Sequence, residues 1–402
     1  MNVIVHGNKQ KSPGEEEAHY SVEQAGCLET DIKEELEAHL SRIGILRTDK
    51  GTCALLQPSK DTIRARHSYQ YRDKQKRLSQ FVVKYIDELL PYFASGKDIV
   101  PDRISPRLEI VHSDTRESRL FRLASLTWSV PVSEGFGRRM RLLVWDDHNQ
   151  KLIGIIGLGD PVFNMRARDE VIGWTSNDRR DRLVHLMDAY VLGALPPYNM
   201  LLAGKLIACL IRTTDIVDMF SEKYAKTVGI ISGKAKRARL AMVTTTSALG
   251  RSSIYNRLRL DGTYYFKSIG YTSGYGHFQI PDDLFLRIRE YLKAKGHVYS
   301  SNNRYGNGPN WKFRAIRAAM ELMGISRDLL RHGIRREVFV SELATNATAL
   351  LKGDHEIPIY DNLEPAPRVG AKALERWVLP RASRRPEYKY WQKDQLRKAV
   401  LP

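Results

Sequence analysis

The chain has 402 residues, with 64 Lys and Arg against 46 Asp and Glu, a net charge of +18 and a pI near 9.7. Hydrophobic residues at 42% and charged residues at 27% exclude a disordered or fibrous chain, and the length points to roughly two to three domains. The three cysteines, Cys27, Cys53 and Cys209, lie too far apart for a disulfide framework or a four-thiolate zinc site, while the excess of cations points to a polyanion, nucleic acid first.

In chain order, Leu28, Ile32, Leu36, Leu40 and Ile43 predict an amphipathic helix over 28–43. Leu78, Phe81, Val82, Tyr85, Ile86, Leu89 and Leu90 predict a second over 74–93, closed by Pro91 and Gly96. A punctuated linker from Pro101 leads into strand-like sequence, and RLLVWDDHNQKLIGIIGL over 141–158 reads as a hairpin turning at Asp146, Asp147, His148 and Asn149. The spacing of Leu183, Leu186, Met187, Tyr190 and Val191 predicts a helix over 179–195. YNMLLA then reads as a strand handing over at Gly204-Lys205 to a helix over 205–212. A strand at 239–246, a short helix at 252–260 and Gly- and Tyr-rich strands at 265–280 follow. Helices at 281–295 and 309–323 and a last strand, EVFVSEL, complete a mixed α/β pattern with no internal repeat. The expected organisation is an N-terminal helical region over 1–105, a mixed α/β core over 106–345 and a basic tail over 346–402. No run is apolar enough to cross a bilayer, and the acidic turn at Glu15–Glu17 does not suit a signal peptide, so a cytoplasmic protein is expected.

The stretch VTTTSALGRSSIYNRLRL, 243–260, holds the first candidate site. Alternation sends Thr244 and Thr246 to one sheet face and Thr245 to the other, while Ser247, Gly250, Ser252 and Ser253 suit a turn and a cap. Hydroxyls so gathered at the carboxyl end of a strand lie where open α/β sheets bind ligands, and Arg251 and Arg257 add fixed positive donors. Gly204 and Lys205 offer a further anion position at a helix start, although the phosphate-loop spacing is absent and a plain turn glycine fits as well. GKAKRARL supplies Lys234, Lys236, Arg237 and Arg239 to a nucleic-acid footprint. From Arg368 to Pro402 ten cations face three carboxylates, a net +7, interleaved with Trp377, Tyr388, Tyr390 and Trp391; Arg381, Arg384, Arg385 and Lys389 are candidate phosphate contacts. That segment fits equally a tail wrapping its own domain with aromatic anchors. Asp146, Asp147, Asp160, Asp169 and Glu170 would suit Mg²⁺ only if they converge, and hairpin or loop roles explain them as well. His185 has no second histidine four residues away, so a core or surface role is expected.

The strings GIIGLGDP, DRLVHLMDAYVLGALPPYN, GKLIACL, VTTTSALGRSSIYNRL and IGYTSGYGHFQIP resemble, in order and spacing, the DruA family, the first component of type I Druantia antiphage defence systems. The resemblance covers roughly 120–345 and the PRA-containing tail at 380–382. It implies a role in protecting a bacterium from phage beside other Druantia proteins, including a large helicase, and supplies no catalytic residues. In element order the core is also similar to GNAT-type acyltransferases, in which an aromatic helix precedes a Gly-aromatic strand much as Tyr255 precedes Gly270-Tyr271. That likeness implies a GNAT-like mixed sheet. Two roles follow, a module engaging nucleic acid, DNA first, or an enzyme that modifies or cleaves it at a GNAT-like or metal-dependent site.

Overall fold

The computed structural model describes residues 22–42, 59–135, 137–224, 227–228, 235–277, 280–300 and 311–401. Two compact units divide the chain, one of Met1–Gly44 with Ile280–Arg327 and one of Ile45–Gln279 with Asp328–Pro402.

The first unit is helical. α1 (Val22–Arg42) buries Ala25, Ile32, Leu36 and Leu40 along one stripe. Of the helices that follow in sequence, α8 (Asp282–Ala294) and α9 (Trp311–Leu322) belong with it: α1 packs on α8, and α8 on α9. Tyr291 donates to Glu29 at 2.9 Å, and Arg287 reaches both Glu35 and Asp31. Charged contacts thus flank the apolar stripe of α1 where it packs on α8. Ile43 lies outside the described residues.

The second unit is built on a seven-stranded mixed sheet, so the α/β class predicted from the element pattern holds. Its strands are β1 (Pro106–Ile110), β2 (Arg139–Asp146), β3 (Lys151–Gly159), β4 (Leu186–Ala194), β7 (Met242–Thr246), β10 (Lys267–Tyr271) and β11 (Glu337–Glu342). Two-residue ribbons outside the sheet supply β5 (Thr227–Val228) with β6 (Ala235–Lys236) and β8 (Arg259–Leu260) with β9 (Thr263–Tyr264). Spatial order is β1-β2-β3-β4-β7-β11-β10, antiparallel everywhere except between β4 and β7. In β2, Leu142 and Val144 enter one core while Leu143 and Trp145 enter another, so the unbroken apolar run RLLVW reports a strand covered on both faces.

Helices on one face include α6 (Ala203–Leu210), α7 (Thr214–Tyr224) and α11 (Ala366–Ala373). On the other face lie α2 (Lys60–Leu89), α3 (Arg116–Ser125) and α13 (Gln395–Val400), with α4 (Arg166–Ile172) and α10 (Ala347–Lys352) over a separate apolar patch. A short π segment, Leu374–Val378, and α12 (Leu379–Arg384) continue from α11. Trp377, Val378, Tyr388, Leu396 and Val400 are all buried, so the basic segment wraps the sheet and its aromatics anchor it, one of the two arrangements its composition allows.

Four predicted elements differ. Residues 179–195 are not one helix but α5 (Ser176–Arg182) followed by β4, because Leu186–Asp188 finds backbone partners in β7 and Asp188–Ala194 in β3. YNMLLA is a 3₁₀ turn over Tyr198–Leu201 and the start of α6, with Leu202 left-handed at φ 61° between them. Residues 252–260 hold only a 3₁₀ turn, Tyr255–Arg257, before β8. Of the strand pair expected over 265–280, the described residues hold only β10 and an isolated bridge from Tyr275 to Arg331. The first two are short apolar runs whose periodicity suits either element, and tertiary pairing decides.

The acidic residues do not converge. Asp147 pairs with Arg107, Asp160 with Arg138, and Glu170 with Arg166. Asp146 is buried and accepts from Tyr198 Oη and from the backbone of Ser105 and His148. No group of three metal-ligating side chains occurs among the described residues. Asp169 instead holds Arg168, a guanidinium with no solvent exposure that also donates to the carbonyls of Val162 at 2.8 Å and Phe163 at 2.9 Å. Arg168→Ala leaves those acceptors and Asp169 buried with fewer partners, and is expected to cost about 3–5 kcal/mol in urea unfolding. Exposed Arg166→Ala, which breaks only the Glu170 pair, should leave the urea midpoint essentially unchanged.

Candidate functional site

Strands β4 and β7 run parallel for three residue pairs only, Leu186 with Met242, Met187 with Val243 and Asp188 with Thr244. Beyond Asp188 and Thr244 the two strands continue without backbone pairing, and side chains fill the gap. Thr244 Oγ1 donates to Asp188 Oδ1 at 2.7 Å, and Thr245 Oγ1 donates to the carbonyl of Ala189 at 2.8 Å. Burial pushes the Asp188 carboxyl up to about 6, against the opposing pull of the Thr244 hydroxyl and of Arg168 and Arg139. Burial likewise pushes the Tyr255 hydroxyl up to about 12 beside Thr245. The Tyr255 ring is fixed by Phe266 at 4.9 Å and Phe339 at 5.2 Å. A carboxyl that changes charge near neutrality, beside a hydroxyl at a strand junction, is equipped to accept a proton.

The rest of the hydroxyl stretch is scaffold. Ser252 Oγ accepts from the amides of Ile254 and Tyr255, and its own amide donates to Glu337 Oε2 at 3.0 Å. Glu337, buried at the start of β11, also takes Asn256 Nδ2 and Ser268 Oγ, so one carboxylate ties the 252–256 turn to β10. Ser247 is buried and its amide donates to the Glu337 carbonyl at 2.9 Å. Thr246 is half-buried, and Arg251 is exposed. Glu337 is the hub that sequence reasoning passed over, since EVFVSEL reads simply as a strand.

A cationic surface lies at the start of α6. Lys205 Nζ stands 5.2 Å from the Trp377 ring, and the Arg376 guanidinium approaches the same ring at 5.8 Å. Burial lowers the pKa of Lys205, and the charges of Arg257 and Arg376 lower it further, so three cations from α6, the 3₁₀ turn and the π segment share one locality. Gly204 faces open space. Arg381 Nε donates to the carbonyl of Met200 just before α6, and the side chains of Arg384, Arg385 and Lys389 are exposed beyond it. Among the described residues Arg385 pairs with Glu387, whereas Lys205, Arg257, Arg376, Arg381 and Arg384 form no ion pair with a carboxylate. Two groups of predicted anion contacts, Lys205 with Arg257 and the tail cations, therefore meet through Arg376 and Trp377.

The other predicted footprint divides. Lys234 lies outside the described residues, and the side chain of Lys236 does too. Arg237 and Arg239 line a cavity of about 320 Å³ together with Arg182 and His185. His185 lines this cavity, its Nδ1 lies 3.2 Å from both the amide and the carbonyl of Arg239, and burial holds its pKa down to about 4.

The DruA family model, described as Druantia protein DruA, matches residues 57–353. The Druantia protein DruA of Escherichia coli (strain UMEA 4076-1) is 52% identical over 363 residues, 90% of each chain. No solved structure matches. Among the described residues no helix is long and apolar enough to cross a membrane. The family match spans the sheet from β1 to β11, the Asp188 junction, and Lys205 and Arg257 of the α6 surface, so the strings that resembled DruA are those that build this sheet, its junction and α6, and the chain belongs to the DruA family.

Proposed function

We propose that this cytoplasmic Druantia component serves antiphage defence by holding nucleic acid, DNA first, on the surface formed by Lys205, Arg257, Arg376, Arg381 and Arg384, beside other Druantia proteins that include a large helicase. The observation that carries this reading is the gathering of Lys205, Arg257 and Arg376 in one locality beside Trp377, without ion-paired carboxylates among the described residues, with Arg381 following at Met200. Guanidinium forks bind phosphate oxygens, and their neutralisation of phosphates releases counterions. Deleting the tail is no clean test, because Trp377, Tyr388 and Val400 belong to the core. The test is an electrophoretic binding assay on single- and double-stranded DNA and RNA at two salt concentrations. Five phosphate contacts predict a loss of roughly 500-fold between 50 and 200 mM salt. Absence of binding to every form at 50 mM would overturn the reading.

Asp188 favours a second reading, an enzyme acting on nucleic acid. Its raised carboxyl lies where β4 and β7 part, and the strand order with one parallel step at that point supports a GNAT-like site with Asp188 as base. Thermal stabilisation by coenzyme A, or loss of a cleaving activity in chelator, would bring this reading forward.

A further inference from the structure

The cavity beside His185 is chemically distinct from the α6 surface. Its charged walls are Arg182 and His185 before β4, Arg237 and Arg239 before β7, and His355 and Glu356 beyond α10. Three guanidiniums against one carboxylate leave a net of two positive charges before either imidazole is counted. Arg182 carries the clearest sign of an unmet partner. Its Nη1 is buried with no hydrogen-bond acceptor, and the nearest carboxylate, Asp178, is 3.9 Å away, beyond hydrogen-bond reach. The guanidinium lies across Gly353, where any Cβ would collide with it, and Gly353 takes the left-handed φ of 89° that ends α10. A glycine there leaves Arg182 its place in the wall.

Arg239 braces the opposite wall by donating from Nη1 to the Glu356 carbonyl at 2.6 Å. Its amide and its carbonyl both lie 3.2 Å from His185 Nδ1 and anchor that ring in the wall. Burial, with Arg239, Arg138 and Arg182 nearby, keeps that ring uncharged at neutral pH, so the site sets a neutral imidazole beside fixed cations. At about 320 Å³ the cavity is at the small end of ligand pockets, room for one nucleotide and not for a run of them.

A backbone phosphodiester carries one negative charge, whereas a phosphomonoester carries about 1.5 to 2 at neutral pH and presents three strong acceptor oxygens. We propose that this cavity binds a phosphomonoester at the end of a nucleic-acid strand, with Arg182 and Arg237 contacting its oxygens and Arg239 and His185 forming its wall. The inference rests on the nucleic-acid reading above and adds a preference for strand ends.

The experiment compares the full chain with the variant Arg182→Gln/Arg237→Gln on three probes: an oligonucleotide ending in phosphate, the same strand ending in hydroxyl, and a free nucleoside monophosphate. The wild-type chain is expected to bind the phosphorylated strand about tenfold more tightly than the hydroxyl-ended one. The variant should lose that preference while holding the hydroxyl-ended strand within about threefold, which also shows that it is folded. Equal binding of both strands by the wild-type chain would overturn the cavity assignment and leave the α6 surface standing. If neither strand binds, the nucleic-acid reading fails, and the free nucleotide decides the cavity: binding that the variant loses upholds phosphomonoester recognition, and no binding overturns it.

Discussion

Lowering the pH from 7 to about 4.5 is expected to remove roughly 5 kcal/mol of stability from the sheet-containing unit, through one buried pair of histidines. His67 on α2 and His332 before β11 are 3% and 6% exposed. His67 Nε2 faces Arg336 Nη2 at 3.0 Å, and since a guanidinium only donates, that nitrogen must be the unprotonated one, with Nδ1 directed to Gln70 Oε1 at 2.9 Å. Arg66 Nη1 donates to the His332 carbonyl, and His332 Nδ1 accepts from the Ile334 amide. Burial, then the neighbouring guanidinium charges, hold His67 down to about 4 and His332 to about 3. Their folded values lie below the unfolded one, so the unfolded chain binds more protons between pH 6.5 and 4. The stability is therefore present above pH 6.5 and lost as the pH falls. At 1.36 kcal/mol per unit, each ring accounts for roughly 2.5 kcal/mol over that range. His185, held to about 4, acts with the same sign, and Asp188, raised to about 6, acts with the opposite sign and comparable size, so these two nearly cancel. Urea midpoints at several pH values, in the wild-type chain and in His67→Gln/His332→Asn, measure the effect. The wild-type curve should fall steeply below pH 6.5 and the variant's should be flatter by roughly half or more. Parallel curves would assign the acid sensitivity elsewhere.

How far the sequence reveals this molecule depends on whether a signal is local. The 141–158 hairpin is legible because its two apolar runs and polar turn are contiguous, and it forms β2 and β3. The α8 and α9 helices are legible because their apolar stripes are long enough for the 3.6 period to be unambiguous. LMDAYVLGA is not, since its apolar positions fit a helix face as well as a strand buried on both sides. That ambiguity hid Asp188: on a helix it faces solvent, whereas on β4 it meets Thr244. Thr244 and Thr245 were legible as strand-end hydroxyls, but nothing local shows that their partners are Asp188 and the Ala189 carbonyl. The anion surface is non-local in the same way. Lys205, Arg257 and Arg376 belong to three distant segments, and only the return of the tail across α6 brings them together. The cavity histidine follows the same rule, because His185 acquires its neighbours from β7 and the segment after α10. Residues that act through sequence neighbours can be read directly; residues that act through the sheet crossing need the crossing.

Neutralising the α6 surface should weaken DNA binding by about two orders of magnitude at physiological salt. In Lys205→Gln/Arg257→Gln/Arg376→Gln three cations are lost from one locality. With a slope of about −0.9 per neutralised phosphate, three lost contacts flatten the dependence of log affinity on log salt by roughly 2.7, which amounts to about 10²-fold at 0.15 M. Lys205 and Arg376 also stand over Trp377, whose ring is buried among the residues that hold the tail to α6, so thermal unfolding of the variant must be followed alongside. Net charge alone gives the competing explanation, and a matched control separates the two. Arg64→Gln/Arg166→Gln/Arg331→Gln removes the same three charges from exposed positions paired with Asp61, Glu170 and Asp328. A gathered surface predicts that this control keeps the wild-type salt slope within about 0.5, because cations already neutralised by their own carboxylates release few counterions. Equal weakening in both triple variants would mean that binding follows the overall field of a +18 chain, with no defined phosphate track. Selective loss in the α6 variant ties the polyanion to the locality where the tail, the 3₁₀ turn and α6 meet, the one arrangement in which three separately encoded cations act as a single contact.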